Sequence, residues 1–296
     1  MIRKAVIPVA GLGSRMLPLT RALPKEMLPI GDRPVIEHTV RELVESGIEE
    51  ITIVTSSRKH LIQQHFAPDD DLERQLRASG KPELADAVHE LAALAHITYV
   101  FQNGPYGNGT PVLNAARVIG DEPFMVLWAD DVFVAEVPRA GQLKAAYEDM
   151  RAPVLALMPM ELQDAPRYGV PIVTRDLGQG RLRISGLVEK PSPEQAPSRF
   201  AAIGGYVITP GVVAELEART RRWRQRPDGE IYLTEALHAY ALGHEVYGQV
   251  IDGTWWDTGS PLSYLKAQFA AALAHPVYGP ELRKLAHDSG GSPAGP

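Results

Sequence analysis

Two glycines and two basic residues near the start of the chain are its strongest chemical signal. Gly11 and Gly13 closely follow residues 3–9, a largely apolar run that is typical of a buried strand. Glycines at a strand end allow a tight turn whose N–H groups can approach an anion. Arg15 comes two residues after the second glycine, and Lys25 lies in a segment bounded by prolines. The spacing therefore predicts a phosphate-binding loop with two positive side chains beside it.

Two common glycine-rich loops do not fit this stretch. The dinucleotide-binding fingerprint needs a third glycine where this chain has Met16, and an acidic residue after the second strand where it has Val54 and Thr55. The phosphate loop of ATPases ends in Gly-Lys-Ser or Gly-Lys-Thr, and no such string follows Gly11. The loop is therefore of another kind.

Other chemically useful side chains follow later predicted strands. Gln102 follows a third strand, Asp130 and Asp131 follow a fourth, and Glu189 and Lys190 end a strand in the second half. Open α/β sheets collect ligands at the carboxyl ends of their strands, so these residues are expected at one rim. Mg²⁺ takes one or two carboxylates together with phosphate oxygens, which suits the aspartate pair. An isolated Asp-Asp pair is more often a turn or a helix cap, and from the residues alone both interpretations stay open.

Composition narrows the classes of function. The chain has 296 residues, a hydrophobic fraction of 45% and a formal net charge of -6, which suits a globular protein and argues against a binder of nucleic acid or membrane surfaces. It contains no cysteine, so disulfides, thiolate metal sites and cysteine nucleophiles are excluded. The first apolar stretch is too short for a signal peptide, and no apolar run approaches the length of a transmembrane helix. We expect a cytoplasmic protein.

The spacing of apolar residues predicts the elements that hold these side chains. Strand, loop, helix and strand follow one another, which indicates a βαβ unit and a parallel sheet with right-handed crossovers. The predicted strands are 3–9, 51–54, 97–101, 124–128, 154–159, 169–174, 182–189, 201–208 and 245–250. The predicted helices are 34–46, 69–94 with a break at 80–82, 110–118, 141–150, 212–226, 233–242 and 261–275. We expect one domain over 1–288 and a frayed tail, rich in Gly, Ser and Pro, over 289–296.

The N-terminal motifs resemble those of the sugar-1-phosphate nucleotidyltransferases. The Gly-x-Gly-x-Arg loop at 11–15 and the Pro-Lys-Glu-Met-Leu-Pro segment at 24–29 are similar, in particular, to those of the bacterial UTP–glucose-1-phosphate uridylyltransferases. The resemblance extends in order over nearly the whole chain, from Arg3 to His275. It implies a Rossmann-like α/β fold: a central mixed, mainly parallel sheet flanked by helices, with a smaller β-rich part that binds the sugar.

The resemblance also implies a role for individual residues. The nucleotide-binding residues would be Ala10, Gly11, Gly13, Glu26, Gln102, Gly107 and Asp131. The catalytic residues would be Arg15, Lys25 and Lys190, and the sugar would be bound by Gly169, Glu189 and Lys190. Asp130 and Asp257, which lies in an Asp-Thr-Gly motif, would hold a magnesium ion. A glutamine both donates and accepts a hydrogen bond, which suits the edge of uracil.

Three segments test the resemblance further. Ala129 stands where the family often has glycine, which leaves the following carboxylate in place. Residues 107–111 read Gly-Asn-Gly-Thr-Pro, where the family usually has Gly-Leu-Gly-His-Ala, close to the base and the ribose. Residues 229–236 resemble the family's Gly-Glu-Ile-x-Leu-Thr-Asp-Ala, and we interpret Glu230 there as a structural or dimer residue without a catalytic role.

The implied reaction is transfer of a uridylyl group from UTP to glucose 1-phosphate, with release of pyrophosphate. The alternatives among enzymes of this fold are a thymidylyltransferase or a uridylyltransferase for galactose or glucuronic acid phosphates. An alternative of a different functional class is a non-catalytic nucleotide-sugar sensor. The family suggests a homodimer or homotetramer without nucleic-acid or membrane partners. We interpret the arginine cluster at 219–226 as a solvated helix face.

Overall fold

The computed structural model describes residues 1–227 and 229–290. Its strands are β1 (Lys4–Pro8), β2 (Pro29–Ile30), β3 (Arg33–Pro34), β4 (Glu50–Thr55), β5 (His96–Phe101), β6 (Phe124–Leu127), β7 (Asp131–Val134), β8 (Val154–Pro159), β9 (Gly169–Gly178), β10 (Arg181–Glu189), β11 (Phe200–Ile208), β12 (Val246–Val250) and β13 (Thr254–Asp257). Its α-helices are α1 (Val35–Glu45), α2 (His60–Phe66), α3 (Asp70–Ala78), α4 (Pro82–Ala92), α5 (Gly109–Ile119), α6 (Arg139–Met150), α7 (Pro210–Gln225), α8 (Leu233–Ala241), α9 (Pro261–Ala274) and α10 (Gly279–Gly290).

One large sheet forms the centre of the described part of the molecule. Its strands lie in the order β5-β4-β1-β6-β11-β8-β12-β10-β9. The neighbours from β5 to β6 run parallel, as do β8 and β12, and the other neighbours are antiparallel. The predicted mixed sheet is therefore confirmed, with parallel pairing concentrated in its first half. The strands of the predicted smaller β-rich part, β9 to β11, belong to the same sheet.

Helices cover both faces of this sheet, which explains the apolar pattern of the strands. In β1, Ala5 and Ile7 are buried against the layer that contains α1 and α6. Val6, between them, is buried against the opposite layer, which contains α5, α7 and α8. A strand buried on both faces must be apolar at successive positions rather than at alternate ones. The near-continuous apolar run at the N-terminus is the consequence.

Several elements go beyond the sequence prediction: α2, α10 and two short two-stranded sheets outside the main sheet, β2 with β3 and β7 with β13. The most important is the antiparallel pair of β7 and β13, in which Asp131 lies opposite Asp257. These strands are far apart in the sequence, so no local pattern indicates that they pair. Their pairing brings the Asp-Asp turn and the Asp-Thr-Gly segment together at the rim of the sheet.

The C-terminal prediction falls partly outside the described residues. Of the predicted tail, 289–296, the first two residues end α10, and residues 291–296 are not described. The single domain over 1–288 stays a prediction. Among the helices of the described residues, none combines the length and the apolar character needed to cross a membrane.

Candidate active site

Two adjoining cavities open at the carboxyl ends of β1, β6 and β10. The first, of about 370 Å³, is lined by the glycine turn and Gln102, and we call it the glycine-loop cavity. The second, of about 530 Å³, is lined by Gly169, Glu189 and Asp257, and we call it the strand-end cavity. Both are lined by Arg15, Asp130 and Lys190. Groups that follow separate strands therefore meet at one rim.

The glycine turn leaves its backbone open to the first cavity. Gly13 has a φ of 65°, in the left-handed region that glycine adopts without strain, and its carbonyl accepts a hydrogen bond from Thr20 Oγ1 at 2.8 Å. No atom would lie within 4 Å of a Cβ added to Gly11, so a ligand can approach this main chain closely. Ala10 and Gly11 both line the cavity, and the exposed side chain of Arg15 lines its wall.

Lys25 and Asp130 form a close ion pair in this wall. Lys25 Nζ donates to Asp130 Oδ2 at 2.5 Å, and their side chains are only 19% and 24% exposed. Burial favours the uncharged form of each, but the charge and hydrogen bond of the partner outweigh it, so the pKa of Lys25 is raised and that of Asp130 is lowered. Thr258 fixes the turn, because its N–H and hydroxyl donate to the Asp130 carbonyl at 2.8 and 2.9 Å.

The space beside Gly259 brings Arg15, Asp130 and Asp257 together. A Cβ added to Gly259 would lie 2.9 Å from Asp257 Oδ1, 3.0 Å from an Arg15 guanidinium nitrogen and 3.2 Å from Asp130 Oδ2. Asp257 Oδ1 accepts from the Gly259 N–H at 2.8 Å, and its Oδ2 accepts from Arg167 at 2.5 Å. Arg167 is a partner that the sequence did not suggest. The two predicted metal ligands thus share one small cradle.

These carboxylates suit a hard divalent cation whose remaining ligands come from outside the protein. The lowered pKa keeps Asp130 ionised, and Asp257 offers a second carboxylate in the same cradle. Within residues 1–227 and 229–290, no cluster of three or more His, Cys, Asp or Glu side chains could enclose an ion. Mg²⁺ is typically held by one or two carboxylates with phosphate oxygens and water supplying the rest, so the residues present fit it.

Asp131 is turned away from Asp130 and is held by the protein. Its Oδ2 accepts from the Gly204 N–H at 2.9 Å, and its Oδ1 accepts from the Trp255 indole at 2.6 Å. Burial, followed by the negative charge of Asp130, raises the pKa of Asp131 to about 7. The carboxyl thus ties β7 to β11 and β13. Contact of Asp131 with the nucleotide stays a prediction. In the structure its side chain holds these three strands together.

Glu26 is also engaged within the protein. It lines the glycine-loop cavity but is only 2% exposed, and both of its carboxylate oxygens accept from Lys59 Nζ, at 2.9 and 2.8 Å. Burial, the largest effect, lowers the pKa of Lys59, although the Glu26 charge opposes it. Lys59, which sequence reasoning missed, therefore fixes the wall beneath the predicted nucleotide site.

The strand-end cavity contains the residues predicted to bind a sugar. Glu189 Oε2 accepts from the hydroxyl of Thr234, at the start of α8, at 2.7 Å. A Cβ added to Gly169 would lie 2.9 Å from Thr234 Cγ2 and 3.3 Å from Glu189 Oε2, so only glycine leaves the wall undisturbed. Lys190 lies next to Glu189 and lines both cavities, with its side chain 50% exposed.

The segment 229–235 forms a wall between the cavities, and its contacts explain the unusual residues at 107–111. Asn108 Oδ1 accepts from the Leu233 N–H at 2.8 Å, and the Gly109 N–H donates to the Ile231 carbonyl at 2.8 Å. Gly107, with a φ of 130°, packs so closely on Ile231 that an added Cβ would lie 2.3 Å from its carbonyl oxygen. The Asn108 side chain thus joins the turn at 107–109 to the segment 229–235.

Three residues beside the cavities went unrecognised as cavity residues in the sequence. They are Tyr106, Glu230 and Tyr232. Tyr106 and Glu230 line both cavities, as does Asn108 from the segment predicted to lie near the base. The only sequence signal was the similarity of 229–236 to a family motif, which we interpreted as structural. The structure places Glu230 at the junction of the cavities.

Comparisons with known proteins show the family of this chain. The pattern of the family described as nucleotidyl transferase matches residues 4–272. A UTP–glucose-1-phosphate uridylyltransferase of Bacillus subtilis is 41% identical over 276 residues, 93% of this chain and 91% of that protein. One from Streptococcus pyogenes serotype M1 is 38% identical over 95% of this chain and 92% of its own.

A solved structure of UTP-bound UGPase from Acinetobacter baumannii has a TM-score of 0.88 with this protein at 33% identity, over 97% of this chain and 99% of its own. Sequence and fold thus agree over nearly the full length. The chain therefore belongs to the nucleotidyl transferase family, among the relatives named UTP–glucose-1-phosphate uridylyltransferases.

Proposed function

We propose that this protein transfers the uridylyl group of UTP to glucose 1-phosphate, giving UDP-glucose and pyrophosphate. The relatives carry the name of this activity, and one similar solved structure is described as UTP-bound. The observation that carries the proposal is the shared wall of the two cavities, which holds Arg15, Asp130 and Lys190. One cavity is then available for the nucleotide and the other for the sugar phosphate.

The glycine-loop cavity is proposed to bind the nucleotide. Gln102 and the backbone of Ala10, Gly11 and Gly107 would read the uracil, since together they offer both donors and acceptors. Gly13 permits the turn that presents Arg15 to the triphosphate. The further nucleotide contacts of Glu26 and Asp131 would come from carboxylates already fixed by the protein.

The strand-end cavity is proposed to bind glucose 1-phosphate. Glu189 would accept hydrogen bonds from sugar hydroxyls, with its orientation set by Thr234. The Gly169 backbone would approach the sugar ring, and Lys190 would bind the phosphate at the junction of the cavities. The sugar phosphate has a second pKa of about 6, so it is mostly dianionic at neutral pH and needs no general base.

The reaction is an in-line displacement at the α-phosphorus. A phosphate oxygen of glucose 1-phosphate forms the new P–O bond, the bond to the β-phosphate breaks, and pyrophosphate leaves with that electron pair. The obstacle is repulsion between two anions, so positioning and charge neutralisation supply most of the catalysis. Arg15 would bind the β- and γ-phosphates, while Lys25 and Lys190 would attract the incoming phosphate. No covalent enzyme intermediate is needed.

Nucleotidyltransferases of this family generally use a divalent metal ion. We propose Mg²⁺, held by Asp130 and Asp257 with phosphate oxygens and water completing its ligands. When bound, it neutralises phosphate charge and orients the α-phosphate. In the structure Lys25 pairs with Asp130 and Arg167 pairs with Asp257. These ion pairs hold both carboxylates at the rim and compensate their negative charge.

Two finer predictions accompany this proposal. We expect a homodimer or homotetramer acting in the cytoplasm, without nucleic-acid or membrane partners. In the arginine cluster predicted to be solvated, Arg221, Arg222, Arg224 and Arg226 are exposed. The Arg219 side chain is only 22% exposed and bonds Glu235 at 2.9 Å. The formal charge of -6 is consistent with this absence of anionic macromolecular partners.

The decisive experiment is a pyrophosphate-release assay in which UTP, dTTP and other nucleotides are crossed with several sugar 1-phosphates. We expect the highest kcat/KM for UTP with glucose 1-phosphate. A preference for dTTP, or for the phosphates of galactose or glucuronic acid, would move the protein to another specificity in the same fold. Binding of nucleotide sugars without pyrophosphate release from any pair would indicate the sensor instead.

A further inference from the structure

Lys190 lies at the junction of the two cavities, but few contacts with the protein define the position of its ammonium group. Its backbone adopts a left-handed conformation, with a φ of 48°, and its N–H donates to the Tyr168 carbonyl at 3.0 Å. The Glu189 carboxylate is 3.6 Å from Nζ, too far for a strong hydrogen bond. A flexible four-carbon stem therefore carries a charge that the proposed reaction needs at one point.

The aromatic ring of Tyr232 lies beneath this ammonium group. Lys190 Nζ lies 5.2 Å from the ring centroid, within the range of an attractive cation–π contact. The ring itself is well held, because the preceding Ile231 N–H donates to the Tyr106 carbonyl at 2.9 Å and the Ile231 carbonyl accepts from Gly109.

Burial, followed by the Glu230 charge, raises the pKa of Tyr232 to about 12, so the side chain stays neutral at neutral pH. A neutral ring does not compensate the charge of the Lys190 ammonium that it faces. A carboxylate in hydrogen-bond contact would compensate that charge and compete with a substrate phosphate for the ammonium. Tyr232 thus combines a fixed position with a neutral contact that does not itself compensate the Lys190 charge.

We propose that Tyr232 is a positioning residue, whose ring face holds the Lys190 ammonium at the junction where the two phosphorylated substrates meet. The inference rests on the proposed role of Lys190 and extends it to a residue outside the predicted site. Tyr232 occupies the x position of the Gly-Glu-Ile-x-Leu-Thr-Asp-Ala motif, which does not specify a residue there. The motif therefore gave no signal for a role of Tyr232.

The test is a double-mutant cycle measured as kcat/KM for glucose 1-phosphate at saturating UTP and Mg²⁺. Tyr232→Leu removes the ring face and Tyr232→Phe keeps it, and each is made with Lys190 and with Lys190→Ala. A cation–π contact of the usual strength predicts a roughly three- to fivefold loss for Tyr232→Leu and less than about twofold for Tyr232→Phe. Because the ring acts through the ammonium, Tyr232→Leu should cause no further loss once Lys190 is alanine.

Several outcomes separate this inference from the proposed function. If Lys190→Ala is as active as the wild type, the proposed role of Lys190 fails and the inference with it. If Lys190→Ala loses about 100-fold while Tyr232→Leu loses nothing, only the inference on Tyr232 fails. Equal losses for the leucine and phenylalanine variants, or a leucine loss that persists without Lys190, would also overturn it.

A matched control distinguishes the expected loss for Tyr232→Leu from a general effect of replacing a tyrosine. Tyr278 is an exposed tyrosine, stacked on His275 near the C-terminal helices and outside both cavities. Tyr278→Leu should leave the kinetics unchanged. Thermal unfolding of all variants is measured in parallel, and a Tyr232→Leu loss that is matched by partial unfolding at the assay temperature, and not rescued by Tyr232→Phe, counts against the inference.

Discussion

A single added methyl group can test the cradle formed by Arg15, Asp130 and Asp257. Gly259→Ala would place its Cβ 2.9 Å from Asp257 Oδ1, 3.0 Å from an Arg15 nitrogen and 3.2 Å from Asp130 Oδ2. Ordinary contact begins at 3.4 Å, so all three groups must withdraw by between about 0.2 and 0.5 Å. The φ of Gly259 lies outside the left-handed region, so alanine brings no backbone strain.

The expected loss follows from these displacements. A misplacement of 1 Å in a reacting constellation can cost about 100-fold in rate, and here three charged groups each move by a fraction of that distance. We expect kcat/KM to fall by roughly 10- to 100-fold. Stability should hardly change, because the crowded atoms are the ends of side chains and alanine restricts the unfolded chain.

The assay is pyrophosphate release with UTP and glucose 1-phosphate over a Mg²⁺ titration, together with thermal unfolding. The apparent Mg²⁺ requirement should rise, because both carboxylates are displaced. Gly243→Ala is the matched control, since an added Cβ there meets no atom within 4 Å, and it should behave as wild type. Unchanged kinetics and metal dependence for Gly259→Ala would refute the placement of the three groups around one reacting centre.

Three further substitutions probe the surrounding wall. Lys59→Met leaves Glu26 buried without its partner and should lower the free energy of unfolding, measured in urea, by about 3–5 kcal/mol. Adding Glu26→Gln should recover part of this loss. A loss below about 1 kcal/mol would contradict the expected role of the pair. Gly169→Ala should raise the KM for glucose 1-phosphate severalfold while the KM for UTP stays constant, because its Cβ meets Thr234 and Glu189 at 2.9 and 3.3 Å. Thr234→Val removes the hydrogen bond to Glu189 and should raise the same KM by about tenfold, the scale of a hydrogen bond to a charged group; equal effects on both substrates would argue for a general distortion.

Much of the site could be predicted because its residues follow strands with strong local patterns. β1 and β6 are short apolar runs that pair in parallel with each other, so the residues after them, Arg15 and Asp130, meet at one end of the sheet. β10 alternates apolar and polar residues and runs antiparallel to both, so the meeting of Lys190 with these residues depends on the folded path of the chain and not on strand alignment alone. The fold class follows from the same alternation of strands and helices. The family resemblance added the individual roles, which remain predictions.

What the sequence could not predict depends on pairing between distant segments. The contact of β7 with β13 is set by packing of the whole rim, and it decides that Asp131 binds Gly204 and Trp255. Arg167 and Lys59 become partners of site carboxylates only once the chain is folded. A single sequence records that such residues are charged, but not which charge they face.

The unusual residues at 107–111 show the same limit. Asn108 departs from the family pattern, yet its side chain accepts from Leu233 N–H and joins the turn to the start of α8. Thr110, also a departure, donates its hydroxyl to the Pro105 carbonyl at 2.7 Å. Both residues make hydrogen bonds that become visible only in the structure.

The most direct measurement of the central claim is an anomalous difference map from crystals grown with Mn²⁺ and UTP, since Mn²⁺ can replace Mg²⁺ and scatters anomalously. We expect one peak bound by Asp130 and Asp257, with oxygens of the nucleotide phosphates completing the site in the glycine-loop cavity. A metal peak away from both carboxylates, or a nucleotide bound outside that cavity, would contradict the claim that these charges gather the two anionic substrates at one rim of the sheet.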